Sequence, residues 1–163
     1  MVDYTRKYGP AAIGARLRRL SESIDEDAGR IYADLGIEFQ QRWVGILEQL
    51  QARGASSVSE LAASLGIRHS SVSQTRRSLE EAGLVESDDD PHDGRSRVLR
   101  LSVGGKQLVR RLQPLWRILN ATSLELDKEA GRLIEALDRL DRALERLSLY
   151  DRVKQKLASR KPR

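Results

Sequence analysis

The feature that most constrains this chain is the stretch from Ser57 to Gly83, which holds two short helical patterns joined by Leu65-Gly66-Ile67-Arg68-His69. Ser57-Val58-Ser59-Glu60 reads as a capping box. The Ser57 hydroxyl accepts from the Glu60 amide, and the Glu60 carboxylate accepts from the Ser57 amide. Val58, Leu61, Ala62 and Leu65 are the apolar positions of the first helix, which Gly66 ends. The second is predicted from Ser70 to Ala82, ending at Gly83. Two short helices around a tight Gly-containing turn form a helix-turn-helix pattern.

A β-hairpin is predicted directly after it. Leu84 to Ser87 reads as a strand, and Asp88-Asp89-Asp90-Pro91-His92-Asp93-Gly94 is dense in turn formers. Arg97-Val98-Leu99-Arg100-Leu101 alternates and reads as the returning strand. The combination is a winged helix-turn-helix.

The second helix suits a nucleic-acid surface. Val72, Thr75 and Leu79 would face inward, while Ser70, Ser71, Ser73, Gln74, Arg77 and Ser78 occupy the other faces. From Arg68 to Leu79 there are three arginines and no acid. Small hydroxyls let the backbone approach phosphates and bases. Gln74 is placed to read adenine, and Arg77 to read guanine or grip phosphate. Arg68, His69, Ser70, Ser71, Ser73, Gln74 and Arg77 are therefore the candidate DNA contacts. Arg95 and Arg97 join them, because a wing arginine suits the negative minor groove. An ion pair between Arg95 and Asp93 is the structural alternative. The run Asp88-Asp89-Asp90 must point away from phosphates or weaken binding. Taken alone, the second helix reads equally as a plain amphipathic helix with a polar solvent face; the hairpin that follows shifts the reading toward DNA.

Long amphipathic segments flank this motif. Ile13 to Leu35 carries apolar residues at 13, 17, 20, 24, 31 and 35, the spacing of one helical face. A helix from Glu38 to Arg53 turns Phe39, Trp43, Ile46, Leu47 and Leu50 inward. Another spans Val103 to Leu124, with Pro114 expected to kink it. The last is predicted from Lys128 to Ala158, with a heptad-like seam of Leu133, Leu137, Leu140, Leu144 and Leu147. The terminal stripes need partners, and a second copy of the chain is a natural one. The fold class is thus mainly α with a small β-hairpin wing. At 163 residues it is read as one domain, 1–163. Residues 1–36 and 103–163 would form a helical dimerisation region, and 37–102 the winged lobe.

Composition excludes other classes. The chain has no cysteine, so disulfides, thiolate metal sites and a cysteine redox sensor are out. With only His69 and His92, no metal site and no cofactor are expected. No apolar run resembles a signal peptide or a membrane span, so a cytoplasmic location without membrane contact is expected. Net charge is +5, yet residues 57–105 sum to −2 and 152–163 to +6. Overall basicity is therefore weak support for a nucleic-acid partner. An enzyme is not expected: Gly104-Gly105-Lys106 lacks phosphate-loop spacing, and His69 with Ser73 lacks an orienting acid.

The run Leu61-Ala62, Leu65-Gly66-Ile67, Ser71-Val72-Ser73 and Leu79-Glu80-Glu81-Ala82-Gly83-Leu84-Val85 resembles the MarR family of transcription regulators. So does the wing, with Asp90-Pro91, Asp93-Gly94-Arg95-Ser96, Leu101-Ser102 and Gly105. The resemblance implies a homodimer that binds double-stranded DNA at a pseudo-palindromic operator, commonly as a repressor. It also implies release by a small aromatic or anionic effector. Arg16, Tyr32, Phe39, Trp43 and Trp116 are candidates for such a ligand site. Ordinary core for the aromatics and plain surface for Arg16 is the preferred alternative. Arg76 stands where the family has an aliphatic residue, so it must snorkel or reach a carboxylate on a neighbouring helix. The rival reading of the whole chain is a winged-helix protein-interaction module.

Overall fold

The computed structural model describes residues 4–90 and 93–159. The capping box at Ser57 forms as the spacing predicts: the Glu60 amide donates to Ser57 Oγ at 3.2 Å, and the Ser57 amide donates to Glu60 Oε2 at 2.7 Å. It starts α4, Val58–Leu65, which Gly66 ends in the left-handed region at φ 64°. After Ile67 and an extended Arg68, α5 runs His69–Glu81. The helix-turn-helix is present, with α5 starting one residue before the predicted Ser70.

Ahead of it lie α1 (Tyr4–Lys7), a 3₁₀ turn Gly9–Ala12, and α2 (Ile13–Asp34). A 3₁₀ turn Gln41–Trp43 then leads into α3, Val44–Arg53. The helix predicted from Glu38 therefore begins later, because Gln40 is extended and the first turn is tight. A two-residue strand, β1 (Ser56–Ser57), precedes α4. Its brevity leaves no alternation to read in the sequence.

The wing pairs β2 (Val85–Asp90) with β3 (Asp93–Leu101), and β1 joins the other side of β3. All pairings are antiparallel, with Ser56 opposite Leu99, Val85 opposite Leu101, Ser87 opposite Leu99 and Asp89 opposite Arg97. Alternation along the strands places Val85, Ser87, Asp89, Arg97, Leu99 and Leu101 on one face. Glu86, Asp88, Val98 and Arg100 take the other. The first face is the core side, since Val85, Leu99 and Leu101 are buried.

The chain divides into two compact units, Met1–Arg111 and Leu112–Arg163. In the first, the core gathers Ile46, Leu47, Leu50, Val58, Leu61, Val72, Leu79, Leu99 and Val109. Val72, Leu79 and Leu99 are 0% exposed. Each such side chain contributes about 1.5–3 kcal/mol through apolar burial. The α2 stripe Ile13, Leu17, Leu20 and Ile24 stays exposed.

α6 runs Val103–Glu129 with Pro114 inside it, past the predicted end at Leu124. The single last helix predicted from Lys128 to Ala158 is corrected to two, α7 (Leu133–Arg146) and α8 (Leu149–Ala158). Gly131 and Arg132 both take left-handed backbone, at φ 73° and 64°, which no helix can continue. Asp127 stabilises the corner: its carbonyl accepts from the Arg132 amide, and its Oδ1 accepts from the Ile134 amide, both at 2.8 Å. Ser148 then restarts the chain as an N-cap, accepting from the Asp151 amide at 3.1 Å. Arg152 binds the end of α7, donating to the carbonyls of Leu147 and Ala143 at 2.8 and 2.6 Å. Leu133, Ile134, Leu144, Leu149, Val153 and Leu157 remain exposed. No helix among the described residues is long and apolar enough to cross a membrane.

The α5 end, the wing and α6 meet at one crowded corner. Ser102 Oγ donates to the Gly83 carbonyl at 2.7 Å and accepts from the Gly105 amide at 2.9 Å. A Cβ on Gly105 would lie 2.0 Å from the Leu84 carbonyl oxygen, whereas one on Gly104 would meet nothing nearer than 3.6 Å. Gly105→Ala should lower stability by about 1–3 kcal/mol through overpacking. Gly104→Ala should be neutral or slightly stabilising, since Ala favours helix. Urea melts of the two variants check this, and equal midpoints would contradict it.

Candidate nucleic-acid interface

Helix α5 divides into a buried row and an outward surface. Val72, Thr75 and Leu79 are buried. Arg68, His69, Ser70, Ser71, Gln74 and Arg77 are exposed, and Ser73 is half-buried. Ser70, Gln74 and Arg77 follow steps of four and three, so they share one face of the helix. Ser73 Oγ lies 3.5 Å from His69 Nδ1. No side chain caps the α5 N-terminus. The positive end of its dipole is thus offered beside Arg68 and His69, where an anion is favoured. The structure therefore places six of the seven helix candidates on α5, within its N-terminal two-thirds, and the seventh, Arg68, at its N-cap.

Ser78 has a different role from a free surface hydroxyl. Its Oγ accepts from Trp43 Nε1 at 3.1 Å and from Arg42 Nη2 at 3.4 Å. Arg42 Nε also donates to Gln40 Oε1 at 2.8 Å. Arg42 is thereby held, exposed, against α5. It was not among the sequence candidates, and the available signal was the polar run Gln40-Gln41-Arg42 just ahead of α3.

The described side chains of the wing carry their charges in pairs. Arg97 Nη1 lies 3.2 Å from Asp89 Oδ1 on the core-side face. Arg100, on the opposite face, pairs with Asp88 and with Glu86, the latter at 2.9 Å. Asp88, and then Glu86, raise the affinity of Arg100 for its proton above the ordinary value. Asp88 thus points to the face away from the core side, and Asp89 is matched by Arg97. The side chains of Asp90, Asp93 and Arg95 lie outside the described residues, as does His92, so the Asp93–Arg95 pair does too.

Tyr32, Phe39 and Trp43 form a buried cluster, with ring centroids 4.5 Å apart for the first pair and 5.4 Å for the second. The Tyr32 hydroxyl donates to Gln41 Oε1 at 3.1 Å. Arg16 is exposed on α2, and Trp116 is buried in the second unit. Among the described residues no group of three His, Asp or Glu side chains could hold a metal.

Arg76 finds its carboxylate on its own helix rather than on a neighbouring one. Its Nη1 donates to Glu80 Oε1 and Oε2, both at 2.8 Å, and to Ser87 Oγ at 3.4 Å. Ser87 Oγ also donates to Glu80 Oε1. The three groups latch α5 to β2, and the Arg76 side chain is only 18% exposed. Removing Arg76 would strand a half-buried carboxylate, a loss of about 1–3 kcal/mol. A double-mutant cycle of Arg76→Gln and Glu80→Gln by urea melts should give a coupling energy near or above about 0.5 kcal/mol. Strict additivity would show that the two side chains do not support each other.

Comparison with known proteins agrees with this geometry. Residues 35–96 match the family model described as the MarR family. No curated protein sequence matches the chain. Among solved structures, the PcaV transcriptional regulator of Streptomyces coelicolor in complex with its natural ligand is 20% identical, with a TM-score of 0.64. The match covers 88% of this chain and 99% of that one. A cysteine-to-serine mutant of MarR from E. coli, complexed with operator DNA, is 18% identical with the same TM-score, over 88% and 99% of the two chains. BpsR of Bordetella bronchiseptica, whose DNA binding is regulated by 6-hydroxynicotinic acid, is 19% identical at 0.64, over 79% and 92%. Such identities speak for the fold. Residues 35–96 are thus similar to the MarR family, and the lobe that holds them has a winged-helix fold.

Proposed function

We propose that the protein is a sequence-specific double-stranded DNA-binding transcription regulator that works as a homodimer and represses from a pseudo-palindromic operator. The observation that carries this reading is the outward surface of α5 from His69 to Ser78, which carries no acid and stands clear of a buried row. An α-helix fits the major groove, and the N-terminal residues of the second helix of such a motif reach base edges. Gln74 and Arg77 read bases, while Arg68, His69, Ser70, Ser71 and Ser73 hold phosphates or approach base edges. Arg42, anchored on Ser78, adds a backbone contact. Arg97 exchanges Asp89 for DNA in the minor groove, and Arg95 acts beside it. The unpartnered α2 stripe, and those of α7 and α8, are the surfaces that a second copy covers. A small-molecule effector releases the DNA, a reading supported by the liganded relatives. The acidic wing favoured the rival protein-interaction module, and pairing of Asp88 and Asp89 with arginine weakens that case.

Fluorescence anisotropy with DNA from upstream of its own coding region tests the proposal. Arg77→Ala should cost about 1–3 kcal/mol and relax preference at one base position. Arg97→Ala should weaken binding evenly across sequences and reduce the salt slope by about 1. Light scattering should give a dimer. No salt-sensitive binding to any promoter fragment, or a stable monomer, would overturn the reading.

A further inference from the structure

Near the C-terminal end of β3, the first unit holds an open cleft of about 500 Å³. The C-terminal end of α3, β3 and the first turns of α6 enclose it, with Arg100, Lys106 and Arg110 as its charged lining and Leu50, Leu101 and Gln51 beside them. Three cations and no carboxylate face this space. That volume lies in the range of small-ligand pockets.

The three cations are not equivalent. Arg100 is engaged by Asp88 and Glu86 through Nη1, Nε and Nη2. A guanidinium has five donors, so two N–H groups remain for a ligand. Among the described residues, Lys106 and Arg110 have neither an ion pair nor a hydrogen-bonding side-chain partner. They lie four residues apart on α6, hence one above the other on a single face. Like charges at that spacing repel slightly, and a bridging anion reverses the sign. The pair supplies two uncompensated positive charges, while the charge of Arg100 is already met.

We propose that this cleft is a binding site for a small dianionic oxyanion, a phosphate ester or a dicarboxylate. Lys106 and Arg110 neutralise its charge, and the free donors of Arg100 orient one oxygen. It is separate from the α5 surface and from the Tyr32–Phe39–Trp43 cluster. Arg100 ties it to the carboxylates of β2, so occupancy is felt along the wing. Planar guanidinium donors and a point-charge ammonium are the usual recognition set for such oxygens.

Isothermal titration of the full chain with inorganic phosphate, glycerol phosphate and succinate, against chloride at matched ionic strength, tests the site. Saturable binding of one anion per chain is expected for at least one dianion, and none for acetate. The Lys106→Gln, Arg110→Gln double variant should weaken it tenfold or more, with the exposed Arg117→Gln control unchanged and the fold intact by circular dichroism. Preference for the phosphates or for succinate identifies the source. Absence of saturable binding, or affinity unchanged in the double variant, would overturn the proposal. Neither result bears on operator binding, which the α5 variants test separately.

Discussion

One narrow row of side chains holds the rest in place. Val72, Thr75 and Leu79 fix the rotation of α5 about its own axis, because a helix buried on so thin a stripe has only one face to give. Once that row is buried, Gln74 and Arg77 have no choice but to face outward. The α4 capping box and the left-handed Gly66 then set where α5 starts. The Arg76–Glu80–Ser87 latch sets where the wing leaves it. A polar latch in this place trades the apolar contact of the resembled family for a directional one, with geometry rather than volume deciding the wing's angle.

Charge is arranged locally rather than globally. A net charge of +5 says little when the motif region itself sums to −2. What matters is that Glu86, Asp88 and Asp89 of the wing are matched by arginine while the outward surface of α5 from His69 to Ser78 carries no acid. Exposed pairs of this kind add little to stability, about 0–1 kcal/mol each. Their effect is to keep negative potential off the surface that phosphates would approach.

Much of the first unit was legible in the sequence. The capping box, the Gly66 turn and the inward row of α5 rest on local signals that tertiary structure left alone, and so does the presence of a hairpin. Its strands, however, run through Asp90 and from Asp93, into the stretch read as turn, because pairing between the strands overrides the turn-forming residues there. The long last helix departs from its expectation for a physical reason. A leucine seam carries less weight than Gly131 and Ser148, since a glycine at a helix end and a serine three residues before an acid are both boundary signals. Other features were out of reach. The pairing of β1 needs the sheet, and the partners of Ser78, like the Ser87 partner of Arg76, lie on elements whose placement no periodicity encodes. The role of Gly105 depends on the Leu84 carbonyl, a contact between backbone segments.

The central claim is that two copies of α5 enter DNA together. Its most direct test is hydroxyl-radical footprinting, with methylation interference, on a site selected from random DNA. Two protected blocks on one face of the duplex, centred about one helical turn of 10–10.5 base pairs apart with guanine interference in the major groove, are the predicted result. A single block, or protection without major-groove interference, would contradict the account.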